Sequence, residues 1–217
     1  DNRNERGFNE LRGYFIDEGG FLSSMDQPAE VSVLEQGPLF VKVAVKGKIG
    51  KYSFTQTIRL TQGEPRIDMS VKLDWIGSPR IGEPGIEFRA DNPRKSFYDD
   101  RYKLLVYLPI QIANQQIYKD APFDVCESRL ENTFFNRWDS IKHNIILNWV
   151  DVASKDNSCG LSLFTDHTTS YAHGKDFPLA LNVQYAGKGL WGRDYIIDRP
   201  TEISYALIPH AGTWENS

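Results

Sequence analysis

The chain has 217 residues, of which 40% are hydrophobic and 25% charged, and its formal net charge is −4. This length predicts one large domain or two small ones, and this composition is that of a folded protein rather than a disordered one. The small negative charge gives no electrostatic basis for binding nucleic acid or an anionic membrane, and no apolar run approaches the ~18 residues of a membrane-spanning helix. We therefore expect neither nucleic acid nor a membrane among its partners.

Apolar and polar residues alternate along much of the chain, which is the pattern of a strand with one buried face. In chain order, the alternating runs cover residues 41–45, 52–60, 67–75, 104–112, 179–185 and 203–207. Turn-forming residues separate the first three runs, at Gly47-Lys48-Ile49-Gly50 and at Gln62-Gly63-Glu64-Pro65. Residues 39–76 are therefore predicted to form an antiparallel meander.

Helical periodicity is weak, and the one faint helical stripe covers residues 134–147. Strands with one apolar face must bury that face against another sheet. The sequence therefore predicts an all-β fold, a large antiparallel β-sandwich. No linker rich in Pro, Ser or Gly divides the chain, so we expect one domain over residues 1–217. Cys126 and Cys159 form no disulfide framework, and two free thiols are predicted, with pairing left as the alternative.

The densest polar cluster, residues 164–177, follows a predicted strand and offers carboxylates and imidazoles. Such groups bind metals, but the spacing of His167 and His173 fits no known metal motif. A loop that faces a ligand is the functional interpretation, and a solvated turn is the alternative.

Other chemical motifs are weak. Residues 187–192 match GxGxxG by letters, but no helix start follows, so we expect a surface loop that carries Trp191 rather than a nucleotide site. Trp75 and Trp149 lie in strand-like runs and are predicted to be core residues. The carboxylate pairs that might serve sugar hydrolysis are interpreted as solvated surface, namely Asp17-Glu18, Asp99-Asp100 and Glu127 with Glu131.

Six segments spread over nearly the whole chain carry a resemblance to a known family. They are Glu35-Gln-Gly-Pro38, Ile67–Trp75, Tyr102–Ile110, Asn148–Val152, Gly160–Asp166 and Tyr205–Trp214. In this order they resemble the C-terminal β-domain of glycoside hydrolase family 38, the α-mannosidases. The resemblance implies a galactose mutarotase-like supersandwich.

The resemblance also implies a division of labour within a longer protein. The full enzyme would be a retaining, zinc-dependent exo-α-mannosidase whose zinc and Asp nucleophile belong to an N-terminal catalytic domain and a helical bundle. No catalytic residue, metal or cofactor is then expected in this chain. Its partners would be its own catalytic and helical domains and mannose-containing glycans. The chain begins at Asp1 rather than Met, so we expect a C-terminal fragment.

In the resembled family, a loop of the β-region reaches the catalytic pocket and contacts sugar. By position in the pattern, this loop corresponds to residues 166–171, and its candidate pocket-lining residues are Asp166, His167, Thr168 and Tyr171. A second candidate loop contains Trp191, Arg193 and Asp194.

The leading hypothesis is a non-catalytic C-terminal domain that supports an α-mannosidase and lends a loop to its sugar pocket. An independent carbohydrate-binding module is the alternative, and a mutarotase-like enzyme, which needs a His and a Glu at one sugar site, is a weaker third. A domain separated from its neighbours also predicts one exposed apolar patch.

Overall fold

The computed structural model describes residues 5–84, 99–128, 144–174, 176–188 and 193–216. In chain order, their strands are β1 (Glu10–Phe15), β2 (Gly20–Ser23), β3 (Glu30–Gln36), β4 (Phe40–Ile49), β5 (Tyr52–Thr61), β6 (Ile67–Asp74), β7 (Leu104–Leu108), β8 (Gln115–Ala121), β9 (Asp124–Ser128), β10 (Ile145–Ile146), β11 (Trp149–Ser154), β12 (Gly160–Thr165), β13 (Thr169–Gly174), β14 (Phe177–Gln184), β15 (Gly187–Lys188), β16 (Asp194–Tyr195) and β17 (Thr201–His210). The helices in this part of the chain are two 3-10 turns, Asp100–Tyr102 and Trp214–Asn216. None of its helices is long and apolar enough to cross a bilayer.

The strands form two large antiparallel sheets. One has six strands in the order β10-β13-β14-β7-β1-β2, and the other has nine in the order β3-β4-β5-β6-β17-β12-β11-β8-β9. β15 and β16 pair separately as a two-stranded ribbon. The faint helical stripe at 134–147 lies mostly outside the described residues, and its described part includes strand β10.

β4, β5 and β6 form the predicted meander, but the first turn is shorter than predicted. Ile49 pairs with Tyr52, which leaves a two-residue turn that starts at Gly50, with φ +58°. Gly47, where the sequence predicted the turn to begin, remains inside β4. The reason is packing: a Cβ on Gly47 would lie 2.8 Å from the Phe54 ring, so the glycine admits this ring.

The core lies between the two sheets. Leu73 of β6 and Leu163 of β12 have no exposed surface, and neither does Val106 of β7 in the opposing sheet. All three belong to one hydrophobic cluster. Full burial of such a side chain stabilises the fold by about 1.5–3 kcal/mol relative to exposure. The predicted all-β antiparallel sandwich is confirmed.

One part of the core-facing side of the nine-stranded sheet is left uncovered. Val31 and Val33 of β3 are 67% and 58% exposed, and Leu60 of β5 is 46% exposed. The register places these side chains on one face, because Val31 and Val33 pair with β4 and β4 pairs with β5. We call Val31, Val33 and Leu60 the exposed apolar face. It matches the apolar patch that the sequence predicted.

A carboxylate fixes the connection between the two sheets where β10 leads into β11. Asp120 accepts hydrogen bonds from the backbone N–H groups of Leu147 and Asn148 at 2.9 and 2.7 Å. It also accepts from the Trp149 N–H at 3.3 Å. Because successive strand residues face opposite sides and Val150 lies in the core, Trp149 faces away from the core. It stacks on Trp214, with ring centroids 5.5 Å apart, and is not the core residue that was predicted. Its β11 neighbours Val150 and Val152 fill the core instead.

Candidate functional site

The loop after β12 crosses from the nine-stranded sheet to the six-stranded sheet. Asp166 and Thr168 are exposed and His167 is half-buried. The His167 Nδ1 lies 2.6 Å from Asp166 Oδ1, and the Thr165 hydroxyl donates to the His167 carbonyl oxygen at 2.8 Å. The loop is therefore held by contacts among its own residues, while the Asp166, His167 and Thr168 side chains remain at least partly accessible.

Asp166 stands at the wall of an open pocket of about 440 Å³ on the outer face of the nine-stranded sheet. Five neighbouring strands, β4, β5, β6, β17 and β12, form its floor. These strands turn their core residues the other way, so the pocket is lined mainly by outward-facing side chains, polar on β4 and β5, with Phe164 and Ala206 as apolar members. Its charged groups are Lys42, Arg59, Arg66, Asp68 and Asp166.

Some of the polar groups that line the pocket contact each other. Arg66 Nε donates to Asp68 Oδ1 at 2.6 Å, and the hydroxyls of Thr57 and Ser70 lie 2.6 Å apart. The Arg59 guanidinium lies over the Phe40 ring, 4.3 Å from its centroid. Guanidinium, hydroxyl and carboxylate groups around one concavity can exchange hydrogen bonds with a small polar ligand.

Tyr171 does not share this surface. Its side chain is fully buried in β13, and its hydroxyl lies 2.6 Å from that of Ser128. Burial raises the pKa of Tyr171 to about 12, so the phenol stays neutral and one of the two hydroxyls donates a hydrogen bond to the other. The ring packs into the core beneath the loop, so direct contact with a ligand would require it to leave this position.

His173, the second histidine of the predicted polar cluster, is also buried. Its Nδ1 donates to the Phe177 carbonyl oxygen at 2.9 Å, and its Nε2 lies 2.7 Å from the Gln115 side-chain amide. Burial lowers the pKa of His173 below its ordinary value. The imidazole therefore links the β13–β14 hairpin to β8 as a structural group.

The second candidate loop lies beside the turn between β1 and β2. Arg193 and Asp194 are exposed, and Trp191 lies outside the described residues. The pKa of Arg80 is raised mainly by its hydrogen bonds to Asp17 and, to a smaller degree, by the charge of Asp194. This loop therefore adjoins different strands from those of the Asp166 pocket.

The interpretation of Asp99-Asp100 as solvated surface was wrong. Both carboxylates are buried, with 2% and 0% exposure. Asp99 pairs with Arg101 and Asp100 with Lys103, each at 2.5 Å. Adjacent cations make this burial possible, because a buried carboxylate needs a charged or hydrogen-bonding partner.

A buried Ser–Asp–His group that the sequence did not reveal lies on the outer face of the nine-stranded sheet. Asp151 Oδ1 accepts from Ser162 Oγ at 2.8 Å and from His210 Nε2 at 2.7 Å. The serine hydroxyl donates to the carboxylate and not to the imidazole, so no base activates it as a nucleophile. This group is a structural anchor between β11, β12 and β17.

Metal binding finds no support in the part of the chain that the structure describes. It contains no group of three or more His, Cys, Asp or Glu side chains that could hold a metal ion. These residues therefore do not fit a zinc centre. Cys126 and Cys159 are both free thiols, as predicted.

Comparisons with known proteins agree with the fold. The family model described as "Glycosyl hydrolases family 38 C-terminal domain" matches residues 14–182. An α-mannosidase from Enterococcus faecalis V583 has a TM-score of 0.60 at 12% identity, over 95% of this chain and 26% of that one. A glycosyl hydrolase family 38 protein from Enterococcus faecalis has the same values. A putative aldose 1-epimerase from Klebsiella pneumoniae has a TM-score of 0.43 at 9% identity, over 88% of this chain and 54% of that one. The chain thus spans about a quarter of the two glycosidase-family structures, and no curated protein sequence matches it.

Proposed function

Because the chain belongs to the family of glycosyl hydrolase family 38 C-terminal domains, we propose that it is the C-terminal β-sandwich of a retaining, zinc-dependent α-mannosidase. The family match over residues 14–182 is the observation that carries this proposal. In this function, the sandwich supports a separate catalytic domain. That domain binds the zinc and hydrolyses mannose-containing glycans.

The polar groups of the described residues support a non-catalytic role. Asp99 and Asp100 are neutralised by adjacent cations, and Ser162 donates to a carboxylate. None of these arrangements leaves a nucleophile or a pair of carboxylates open to substrate. We therefore expect the 217-residue chain alone to be inactive on mannosides.

The exposed apolar face, Val31, Val33 and Leu60, is the proposed contact with the rest of the enzyme. Large exposed apolar side chains that share one face commonly mark an interface. The glycosidase-family structures are about four times as long as the part of them that this chain covers, at 26%, so a further domain is available to bury this face. Replacing all three residues with Thr should reduce self-association of the isolated chain, measured by sedimentation at several concentrations.

The loop at Asp166, His167 and Thr168 is the proposed contribution to the sugar pocket. The carboxylate accepts and the imidazole can donate hydrogen bonds, which suits a ligand rich in hydroxyl groups. Tyr171 would act indirectly, by packing beneath the loop.

The test compares the isolated chain with a full-length protein made from the reading frame that encodes it. With zinc and an aryl α-mannoside, we expect turnover by the full-length protein and none by the isolated chain. In the full-length protein, Asp166→Asn and His167→Gln should raise KM more than kcat falls. Asp124→Asn, at the exposed first residue of β9, is the matched control and should change neither value.

Two results would contradict the proposal. Hydrolysis of the aryl mannoside by the isolated chain would place catalysis in the sandwich. A full-length protein that binds zinc but has no activity on any α-mannoside would exclude a mannosidase.

An independent carbohydrate-binding module remains the second candidate, favoured by one observation. Tyr118, Trp149 and Trp214 form a partly buried aromatic cluster on the outer face of the nine-stranded sheet. Such rings can stack on sugar faces. Titrating the isolated chain with mannose oligosaccharides while following Trp fluorescence separates the two functions. Saturable binding that is lost in Trp214→Ala would favour the module.

A further inference from the structure

Two basic side chains face each other in the open pocket beside Asp166. Lys42 of β4 is the register partner of Arg59 of β5, and both line the pocket. Like charges directly opposite each other in an antiparallel pair are destabilising. Neither side chain forms an ion pair with another residue that the structure describes. The pocket therefore holds two positive charges whose repulsion a bound anion would relieve.

The acidic groups of the pocket are occupied by other partners. Asp68 pairs in register with Arg59, but its Oδ1 accepts from Arg66 Nε at 2.6 Å. Asp166, at the wall, has its Oδ1 2.6 Å from the His167 ring nitrogen. The lining thus carries three cations against two carboxylates, and Glu35 of β3, the other register partner of Lys42, stands outside the lining.

Hydroxyl groups line the next row of the same floor. Thr57 is the register partner of Ser70, and Ser70 is the register partner of Ser204. Since the Thr57 and Ser70 hydroxyls are 2.6 Å apart, one donates to the other, and the second proton of the pair is free to donate to a ligand. The Phe40 ring under Arg59, at 4.3 Å, holds the guanidinium at the pocket.

We propose that this pocket binds a phosphate group. Its oxygens can accept hydrogen bonds from Lys42, Arg59 and the hydroxyls at the same time, and such charge-assisted bonds are the strong ones. The volume of about 440 Å³ leaves room for a small molecule that carries the phosphate. The source is inorganic phosphate or a phosphorylated sugar. This inference goes beyond the proposed function, because it rests on the pocket and not on the family.

The test is calorimetric titration of the 217-residue chain at low ionic strength with inorganic phosphate, a phosphorylated hexose and the neutral hexose. We expect saturable binding of both phosphates. Lys42→Met and Arg59→Gln should each weaken it by about tenfold or more, because each removes a hydrogen bond to a charged group. Arg59→Lys keeps the charge and should lose less. Lys48→Met is the control, since Lys48 shares the strand and face of Lys42 but lies outside the pocket lining.

The outcomes separate the two sources. Equal affinity for inorganic phosphate and the phosphorylated hexose would show that the site recognises the phosphate group alone. Tighter binding of the phosphorylated hexose, lost in Asp166→Asn, assigns it to a phosphorylated sugar. The inference is overturned if no phosphate binds saturably, if the neutral hexose binds as tightly as its phosphate, or if Lys48→Met weakens binding as much as Lys42→Met. An inactive full-length protein whose isolated chain still binds phosphate would refute the proposed mannosidase alone.

Discussion

Gly160 at the start of β12 allows the buried Asp151–His210 pair to form. In the sheet, Gly160 is the register partner of His210, and the imidazole lies across the glycine to reach Asp151. A methyl group added at Gly160 would place its carbon 2.3 Å from His210 Cε1 and 2.6 Å from Nε2. Gly160→Ala must therefore displace the imidazole and break its 2.7 Å contact with Asp151.

The cost follows from the burial of this pair. The Asp151 side chain is 0% and the His210 side chain 3% exposed, so their contact is shielded from water in the folded chain. Asp151 keeps the Ser162 hydroxyl as its donor. Removing one partner of a buried pair costs about 3–5 kcal/mol. In a chain of this size, this loss lowers the melting temperature by roughly 6–20 °C.

Urea unfolding tests this reasoning with four variants: Gly160→Ala, Gly20→Ala, His210→Ala, and Gly160→Ala combined with His210→Ala. Gly20→Ala is the matched control, because a Cβ there meets nothing within 4 Å and no positive φ is involved. Its stability should change by about 0.5 kcal/mol or less. If the methyl group acts by displacing the imidazole, Gly160→Ala should cost much less in a His210→Ala background. An equal cost in both backgrounds would refute the mechanism. So would a Gly160→Ala chain whose free energy of unfolding is close to that of the unsubstituted chain.

Three further predictions concern the core and its polar anchors. Burial lowers the pKa of His173 from 6.5, so as the pH falls below about 6.5 the unfolded chain binds the proton first and stability declines until the lowered pKa is reached. His173→Gln should flatten this decline in urea melts at several pH values, and an unchanged pH profile would contradict it. Leu73→Ala should cost about 2–5 kcal/mol by leaving a cavity. Leu39→Ala, at a side chain that is 70% exposed, should cost little, and equal losses would contradict the core assignment. Asp120→Asn replaces a carboxylate that accepts three backbone N–H groups with an amide that has one acceptor oxygen. It should cost about 2 kcal/mol and speed amide exchange at the start of β11, and unchanged exchange would count against it.

Local pattern was enough to predict the class of fold and six of the strands in the described residues, namely β4, β5, β6, β7, β14 and β17. The alternation in residues 52–60 and 67–75 reappears in β5 and β6, because the side-chain period of a strand is a property of neighbouring residues alone. Local pattern failed at Gly47, where a distant ring uses the space of the missing side chain. It failed again at Asp99-Asp100, where burial depends on contacts outside the segment.

The sequence by itself determined which side chains point outward from the alternating strands β4, β5 and β17, and therefore that Lys42, Arg59 and Ser204 are polar surface positions. Only the tertiary structure decided that they share a pocket with Asp166. β17 pairs between β6 and β12, which brings Ser204 and Asp166 beside residues more than 90 positions earlier in the chain. This order depends on the burial of whole sheet faces against each other, and no short stretch of sequence contains that information.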